Sequence, residues 1–239
     1  MIKKNSKEKV FDLVHPLYQH DYNQLGVPIM NKVTEDMLDF SKVQPLNVQN
    51  LSIKNNNTRK LVLGFSHDDK IERFYNNPFK YIPLFQSAYA VATPDYSLHP
   101  QMDMPLYLNQ IYKNRWLGCF WQEHDIMALP CVGWTTEEWD DLSFAAIEIG
   151  SVVVISTIGC KRDVDFFMRG YNEMIRRIKP SLIIVYGDML PEMRGRFVNF
   201  RYEDSFKPKI PCCVQGVLFE VSPIFERPAM KSQEVEAGT

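Results

Sequence analysis

The side chains with chemical capacity in this chain fall just after short apolar runs. Leu61-Val-Leu-Gly-Phe65 leads into Ser66-His67-Asp68-Asp69, and Tyr89-Ala-Val-Ala92 leads into Thr93-Pro94-Asp95-Tyr96-Ser97. Ile126-Met-Ala-Leu-Pro-Cys-Val132 precedes Gly133-Trp134-Thr135, Val152-Val-Val-Ile155 precedes Ser156-Thr157-Ile158-Gly159-Cys160, and Leu182-Ile-Ile-Val-Tyr186 precedes Gly187-Asp188. Three carboxylates at such positions, Asp68, Asp69 and Asp95, could act as general acid and base or hold a divalent cation. Around them Ser97, Asn114, Arg115, Gln122, Trp134, Ser156 and Tyr186 would supply hydroxyls, amides, a fixed cation and aromatic faces. Convergent groups of these kinds suit a nucleotide, nucleoside or nucleic-acid substrate. Trp134 is expected over the mouth of the sheet, its flat face covering a substrate ring and its N–H available to donate one bond.

Each of these residues has a structural role open to it as well. Asp68 or Asp69 can cap the helix that follows, and Asp95, placed after proline, can serve an Asx turn. Trp116 and Trp121, within Asn114-Arg-Trp-Leu-Gly-Cys-Phe-Trp-Gln122, could stack on a base or simply fill the core. Thr157-Ile-Gly-Cys160 ahead of a helix could present backbone N–H groups to an anion, with Lys161-Arg162 adding charge, although a glycine at such a turn also answers to backbone geometry alone. Cys160 would be a nucleophile only with a neighbouring base and a lowered pKa; otherwise it is an inert thiol.

The elements that must position these groups follow from the hydrophobic pattern. The five apolar runs, rich in β-branched residues and bounded by turn residues, suit strands covered on both faces. Between them lie helical stretches: Glu72 to Phe85 around a break at Pro78, Met104 to His124, Glu137 to Phe144, and Asp163 to Ile178. In the last, Phe166, Phe167, Tyr171, Met174 and Ile178 share a face, Asp163 starts the helix and Pro180 ends it. Strands alternating with helices predict an α/β fold with βαβ units and a mainly parallel sheet, either open or a partial, irregular barrel. Chemistry then collects past the carboxyl ends of the strands. Residues 1–58 read as an irregular lead-in, with a short helix from Thr34. Residues 59–225 read as a single α/β domain including a weaker strand at Val214–Val221, and 226–239 as a frayed tail.

Composition sets the outer limits. The 239 residues are 45% hydrophobic and 23% charged, enough to bury a real core. No apolar run is long enough to span a membrane and no secretory signal opens the chain, so a cytoplasmic location without membrane contact is expected. Five cysteines (Cys119, Cys131, Cys160, Cys212 and Cys213) lack C-x-x-C spacing, which argues for free thiols over disulfides or a zinc site. Charge is uneven: residues 1–160 hold 14 basic and 18 acidic side chains, and 161–209 hold 11 and 7. That basic stretch supports a second reading, a non-enzymatic factor binding DNA or a host or phage protein in replication, regulation or counter-defence.

Several segments together resemble a known family. Phe65-x-x-Asp68-Asp69-x-x-Glu72-Arg73-Phe74-x-Asn76-Asn77-Pro78, Thr93-Pro-Asp-Tyr-Ser97 with Met104-Pro105, Asn114-Arg-Trp-Leu-Gly118 with Trp121-Gln122, Pro130-x-Val-x-Trp134, Ser156-Thr-x-Gly-Cys160, Gly170-Tyr-Asn-Glu-Met174 and Tyr186-Gly187 occur in the order seen in domain of unknown function 4417. The resemblance covers about residues 22–205. It implies an origin in phages, plasmids or integrative elements, and carries no catalytic assignment. His67 departs from the pattern, which has an apolar residue there.

Overall fold

A computed structural model describes residues 15–205. Seven strands are connected in parallel, in chain order: β1 (Gln44–Asn47), β2 (Lys60–Leu63), β3 (Ala90–Ala92) and β4 (Ala128–Leu129) form one sheet, and β5 (Val153–Ser156), β6 (Ile183–Tyr186) and β7 (Phe197–Phe200) a second. A parallel bridge between Cys131 and Val154 joins β4 to β5, so the two sheets run on as one ribbon. Helices α1 (Asp68–Asn76) and α2 (Pro78–Gln86) connect β2 to β3, and α3 (Met104–Gln122) connects β3 to β4. A short 3-10 turn and α4 (Asp140–Ser143) lead to β5, and α5 (Val164–Ile178) connects β5 to β6.

The period-2 pleat sorts the core into layers. Leu61, Leu63, Ala90, Ala92, Leu129, Val154, Ile184, Tyr186, Val198 and Phe200 share one inner cluster although they come from six strands of two sheets. The residues between them point outward: Val62, Val91 and Ala128 pack on Ile71, Phe74, Phe85, Trp116 and Trp121 of α1 to α3, while Val153, Ile155, Ile183 and Val185 pack on Phe167, Tyr171, Met174 and Ile178 of α5. A shared inside with helices outside means that the ribbon curls. Phe65, just past β2, stacks on Tyr186 at the end of β6 with ring centroids 5.1 Å apart and planes 14° from parallel. The curl stops short of closure among the described residues: β7 has no ladder with β1, and the 3-10 turn Tyr202–Ser205 packs along β1 instead. Val33, Phe40 and Val43 plug the opposite end of the curl, where the Val33 carbonyl accepts from Val152 N at 2.7 Å just ahead of β5.

The expected α/β fold with parallel βαβ units is therefore found, and of the two forms left open, an open sheet or a partial barrel, the curled ribbon is nearer the second, with differences in detail. β1 lies inside the stretch read as an irregular lead-in, because Gln-Pro-Leu-Asn carries no apolar run. β7 was not expected either; its Phe-Val-Asn-Phe sequence alternates and is only half-covered. The helix expected over Glu137–Phe144 is a 3-10 turn followed by the four-residue α4. Thr34 caps a 3-10 turn, and Asp163 caps α5 by accepting from Phe166 N at 3.0 Å. The Val214–Val221 strand, Cys212, Cys213 and the 226–239 tail fall outside the described residues. Cys119, Cys131 and Cys160 are free thiols. No helix among the described residues is long and apolar enough to cross a membrane.

Candidate functional site

The carboxyl ends of β3 and β4 are held by polar side chains from the buried face of α3. Asn114 Oδ1 accepts from Thr93 Oγ1 at 3.0 Å, and its Nδ2 donates to the carbonyls of Pro94 at 2.7 Å and Cys131 at 3.3 Å. Arg115, 1% exposed, donates to the carbonyls of Cys131 (3.1 Å), Ser143 (2.9 Å) and Ala145 (3.1 Å) and to Asn114 Oδ1. No carboxylate among the described residues pairs with it. Burial lowers its pKa to about 10, so the cation persists at neutral pH with carbonyl oxygens as its counter-dipoles. Thr93 Oγ1 in turn accepts from Cys131 N at 2.8 Å.

This scaffold presents Asp95. Its backbone N–H donates to Gly64 O at 3.2 Å, across a contact so close that a Cβ on Gly64 would stand 2.7 Å from Pro94 Cα. The carboxylate is surrounded by protein except where it borders a cavity, and it accepts only a weak bond from the Cys131 thiol at 3.8 Å. Burial, with repulsion from the Asp68 carboxylate added, pushes its pKa up to about 6. The cavity has a volume of about 290 Å³ and lies at the strand ends between β2, β4, β5 and the start of α5. Phe65, Val132, Trp134, Phe166 and Phe167 make its apolar walls, and Asp95, Ser156, Cys160, Arg162 and Asp163, the last of which caps α5, its polar points. Ser156 Oγ donates to the Tyr186 carbonyl at 3.3 Å and accepts from Ile158 N at 3.2 Å. Burial pushes the Cys160 thiol up to about 11, which keeps it protonated at neutral pH and argues against a nucleophile.

Of the residues singled out from the sequence, Asp95, Trp134 and Ser156 meet at this cavity, and the fully buried Tyr186 supports the Phe65 ring from behind. Asn114 and Arg115 stand beneath, as positioning groups. Asp68 is engaged by its neighbours: it accepts from Ser97 N (3.1 Å), Ser97 Oγ (3.0 Å) and Gln110 Nε2 (3.2 Å), which ties α1 to the loop after β3 and occupies Ser97 as well. Asp69 is exposed, 3.3 Å from Lys70. Gln122 sits at the far end of α3, where its amide exchanges two bonds with Asn31, at 2.9 and 3.0 Å, and anchors the N-terminal segment. Trp116 and Trp121 are core residues. No group of three or more metal-ligating side chains forms among the described residues, so Asp68, Asp69 and Asp95 are not gathered into one such group. Five of the nine cations of residues 161–205 face carboxylates: Lys161 with Asp188 (2.7 Å), Arg169 with Asp140 (2.6 Å), Arg176 and Arg177 with Glu173, Arg177 also with Asp141 (2.6 Å), and Arg196 with Glu35 (2.7 Å).

Sequence reasoning missed Phe65, Phe166 and Phe167 as site residues. The two phenylalanines of α5 were assigned to its core-facing stripe, but Phe166 is 39% exposed and turns to the cavity rim. A glycine fixes the tryptophan wall: a Cβ on Gly170 would lie 2.0 Å from Trp134 Cδ1 and 2.3 Å from Nε1. Gly170→Ala should therefore displace the indole while gaining about 1 kcal/mol in helix propensity. The expected result is a folded protein in which the Trp134 indole N–H resonance moves and those of the buried Trp116 and Trp121 stay. An unshifted Trp134 resonance would show that the glycine is not needed for this wall.

The fold and cavity define an α/β protein, a partial parallel barrel with an aromatic, acid-bearing cavity at its strand ends. The family described as Domain of unknown function (DUF4417) matches residues 21–203, and the chain belongs to it. It is similar to the Gene 1 protein of Mycobacterium phage L5, 33% identical over 140 residues that are 54% of this chain and 61% of the relative. The Gene 1 protein of Mycobacterium phage D29 is 34% identical over 140 residues, 54% of this chain and 52% of the relative. The chain thus spans little more than half the length of these curated relatives. Both are phage proteins, in keeping with the mobile-element setting that the resemblance implies. No solved structure matches.

Proposed function

We propose that this domain binds the planar base of a nucleotide, nucleoside or nucleic-acid end in the cavity, with Asp95 as the acid–base group that receives the base's polar edge. The observation that carries this reading is a carboxylate of pKa about 6 set among aromatic walls at strand carboxyl ends. Phe65, Trp134, Phe166 and Phe167 offer flat faces for stacking, and a carboxylate can accept two parallel N–H bonds from a ring nitrogen and an adjacent amino group. A volume of about 290 Å³ favours a base or nucleoside over larger ligands. The Trp134 indole N–H, which makes no hydrogen bond to the described residues, and the Ser156 hydroxyl are further polar contacts. In this reading Asp68 acts through its field and its hold on Ser97, and Asn114 and Arg115 act by fixing the loops. The rival reading, a binding factor that uses the basic stretch, has less support because five of its nine described cations already face carboxylates.

The test is a titration of the four ribonucleosides and their free bases into the full chain at pH 7 and pH 5. At least one should bind, and its affinity should fall about tenfold between the two pH values, since protonation at a pKa of about 6 removes the acceptor. Absence of binding by every base and nucleoside, or an affinity that does not change between pH 5 and 7, would contradict the proposal.

A further inference from the structure

We infer that the ligand is phosphorylated, and that its phosphate occupies a second cleft continuous with the base cavity. This inference rests on the base-binding reading and extends it. The cleft has a volume of about 430 Å³, lies between the loops that follow β5, β6 and β7, and shares Gly159 and Arg162 with the first cavity. Lys161, Arg162 and Arg201 bring three cations to it, against the carboxylates of Asp188 and Glu203. Lys161 Nζ is 2.7 Å from Asp188 in an ion pair more than half exposed, so an arriving phosphate can share that ammonium at little cost.

The backbone and a buried hydroxyl supply the rest of the argument. Thr157, 4% exposed, lines the cleft, and its buried Oγ1 has no hydrogen-bond partner. An orphaned hydroxyl at the edge of a cationic cleft is a donor waiting for an acceptor. Gly187, at φ +120°, brings the chain so close that a Cβ there would stand 2.5 Å from Thr157 Oγ1, so no side chain can fill the space beside this hydroxyl. Gly159 turns at φ +83°, and neither its N–H nor that of Asp188 makes a hydrogen bond to the described residues. Cations, an unspent hydroxyl and two unspent backbone N–H groups are the donor set that a phosphate requires. Arg162 borders both compartments, but Lys161 and Arg201 line only the second, so the larger share of cationic donors faces that cleft. A base in one compartment and a phosphate in the other describe a nucleotide.

The experiment titrates the full chain with the four ribonucleosides, their 5′-mono- and triphosphates, and inorganic phosphate, and repeats this with Lys161→Gln/Arg201→Gln, which alters two exposed cleft residues outside the base cavity. For the base that binds, a phosphorylated form should bind roughly tenfold or more tighter than the nucleoside, as charge-assisted hydrogen bonds are added. The double variant should lose that advantage while keeping nucleoside affinity and melting temperature. A nucleoside that binds as tightly as its phosphates, or an advantage that survives the double substitution, would overturn the phosphate cleft and leave the base reading intact. Binding of inorganic phosphate without binding of any nucleoside would overturn the nucleotide assignment together with the base reading.

Discussion

Asp95→Asn is expected to yield a protein that is more stable than its parent at pH 7.5 and no longer binds a base. The gain arises because the native protein keeps a carboxylate where burial raises its pKa from 3.8 to about 6. Between those values the folded state holds a proton that the unfolded chain releases, so the parent loses stability as pH rises from about 4 to about 6, and regains it as pH falls through the same window. The full shift corresponds to about 3 kcal/mol, and the open face toward the cavity reduces it, so about 1–3 kcal/mol is expected. Asparagine carries no charge and should flatten that part of the profile. Urea unfolding at pH 4, 5, 6 and 7.5 would check it. A variant that is less stable than the parent at pH 7.5, or that keeps the slope between pH 4 and 6, would show that Asp95 does not carry this cost. Such a slope would show that the fold keeps this carboxylate buried at a cost in stability, the property on which the proposed site rests.

Arg115→Met should have the opposite character, a large loss of stability without any direct contact with ligand. The guanidinium satisfies the carbonyls of Cys131, Ser143 and Ala145 from a position 1% exposed, and methionine would fill much of the volume while removing the donor to Ser143 and Ala145 and leaving Cys131 only its longer bond from Asn114. A cost of about 3–5 kcal/mol is expected, a large part of the 5–15 kcal/mol typical of a domain. For a chain of this length that is about 10 °C in melting temperature. Arg115→Lys should rescue little, because a single ammonium cannot reproduce the fork that reaches carbonyls on both sides. A loss below about 1 kcal/mol for the methionine variant would mean that the loops after β3 and β4 are fixed by Asn114 and Thr93 alone.

The contrast between these two residues explains how much of the site could be read from the sequence. Asp95, Trp134 and Ser156 were legible because each lies within three residues of the end of an apolar run that suits a buried parallel strand, and in such folds strand ends converge. Gln122 and Asp69 look similar on paper. What separates them is direction: Gln122 is at the C-terminal end of α3, where the helix returns to the opposite rim, and Asp69 faces solvent on the first turn of α1. Helix direction follows from topology, so the error with Gln122 lay in treating a helix end as if it were a strand end. Phe65, Phe166 and Phe167 were illegible as site residues because an aromatic side chain at a layer boundary has the same pattern whether it faces core or cavity. The curl of the sheet was open for a related reason. Closure depends on the pairing of edge strands, and β1 and β7 are short, half-covered segments without a continuous apolar signal. The phosphate cleft was foreshadowed by Thr157-Ile-Gly-Cys160 with Lys161-Arg162, but its other wall, Gly187 and Arg201, comes from loops that only the three-dimensional arrangement brings alongside.

On the proposed function, Asp95 is a perturbed carboxylate at the wall of a base-binding cavity. The most direct measurement follows the 13C resonance of its side-chain carboxyl, assigned through Asp95→Asn, across pH 3 to 8 with and without a saturating nucleotide. A midpoint near 6 is expected in the free protein, well above the usual aspartate value, and it should move down when the nucleotide binds, because N–H donors from the base stabilise the ionised form. A midpoint near 4 in the free protein, or one near 6 that no nucleotide displaces, would contradict it.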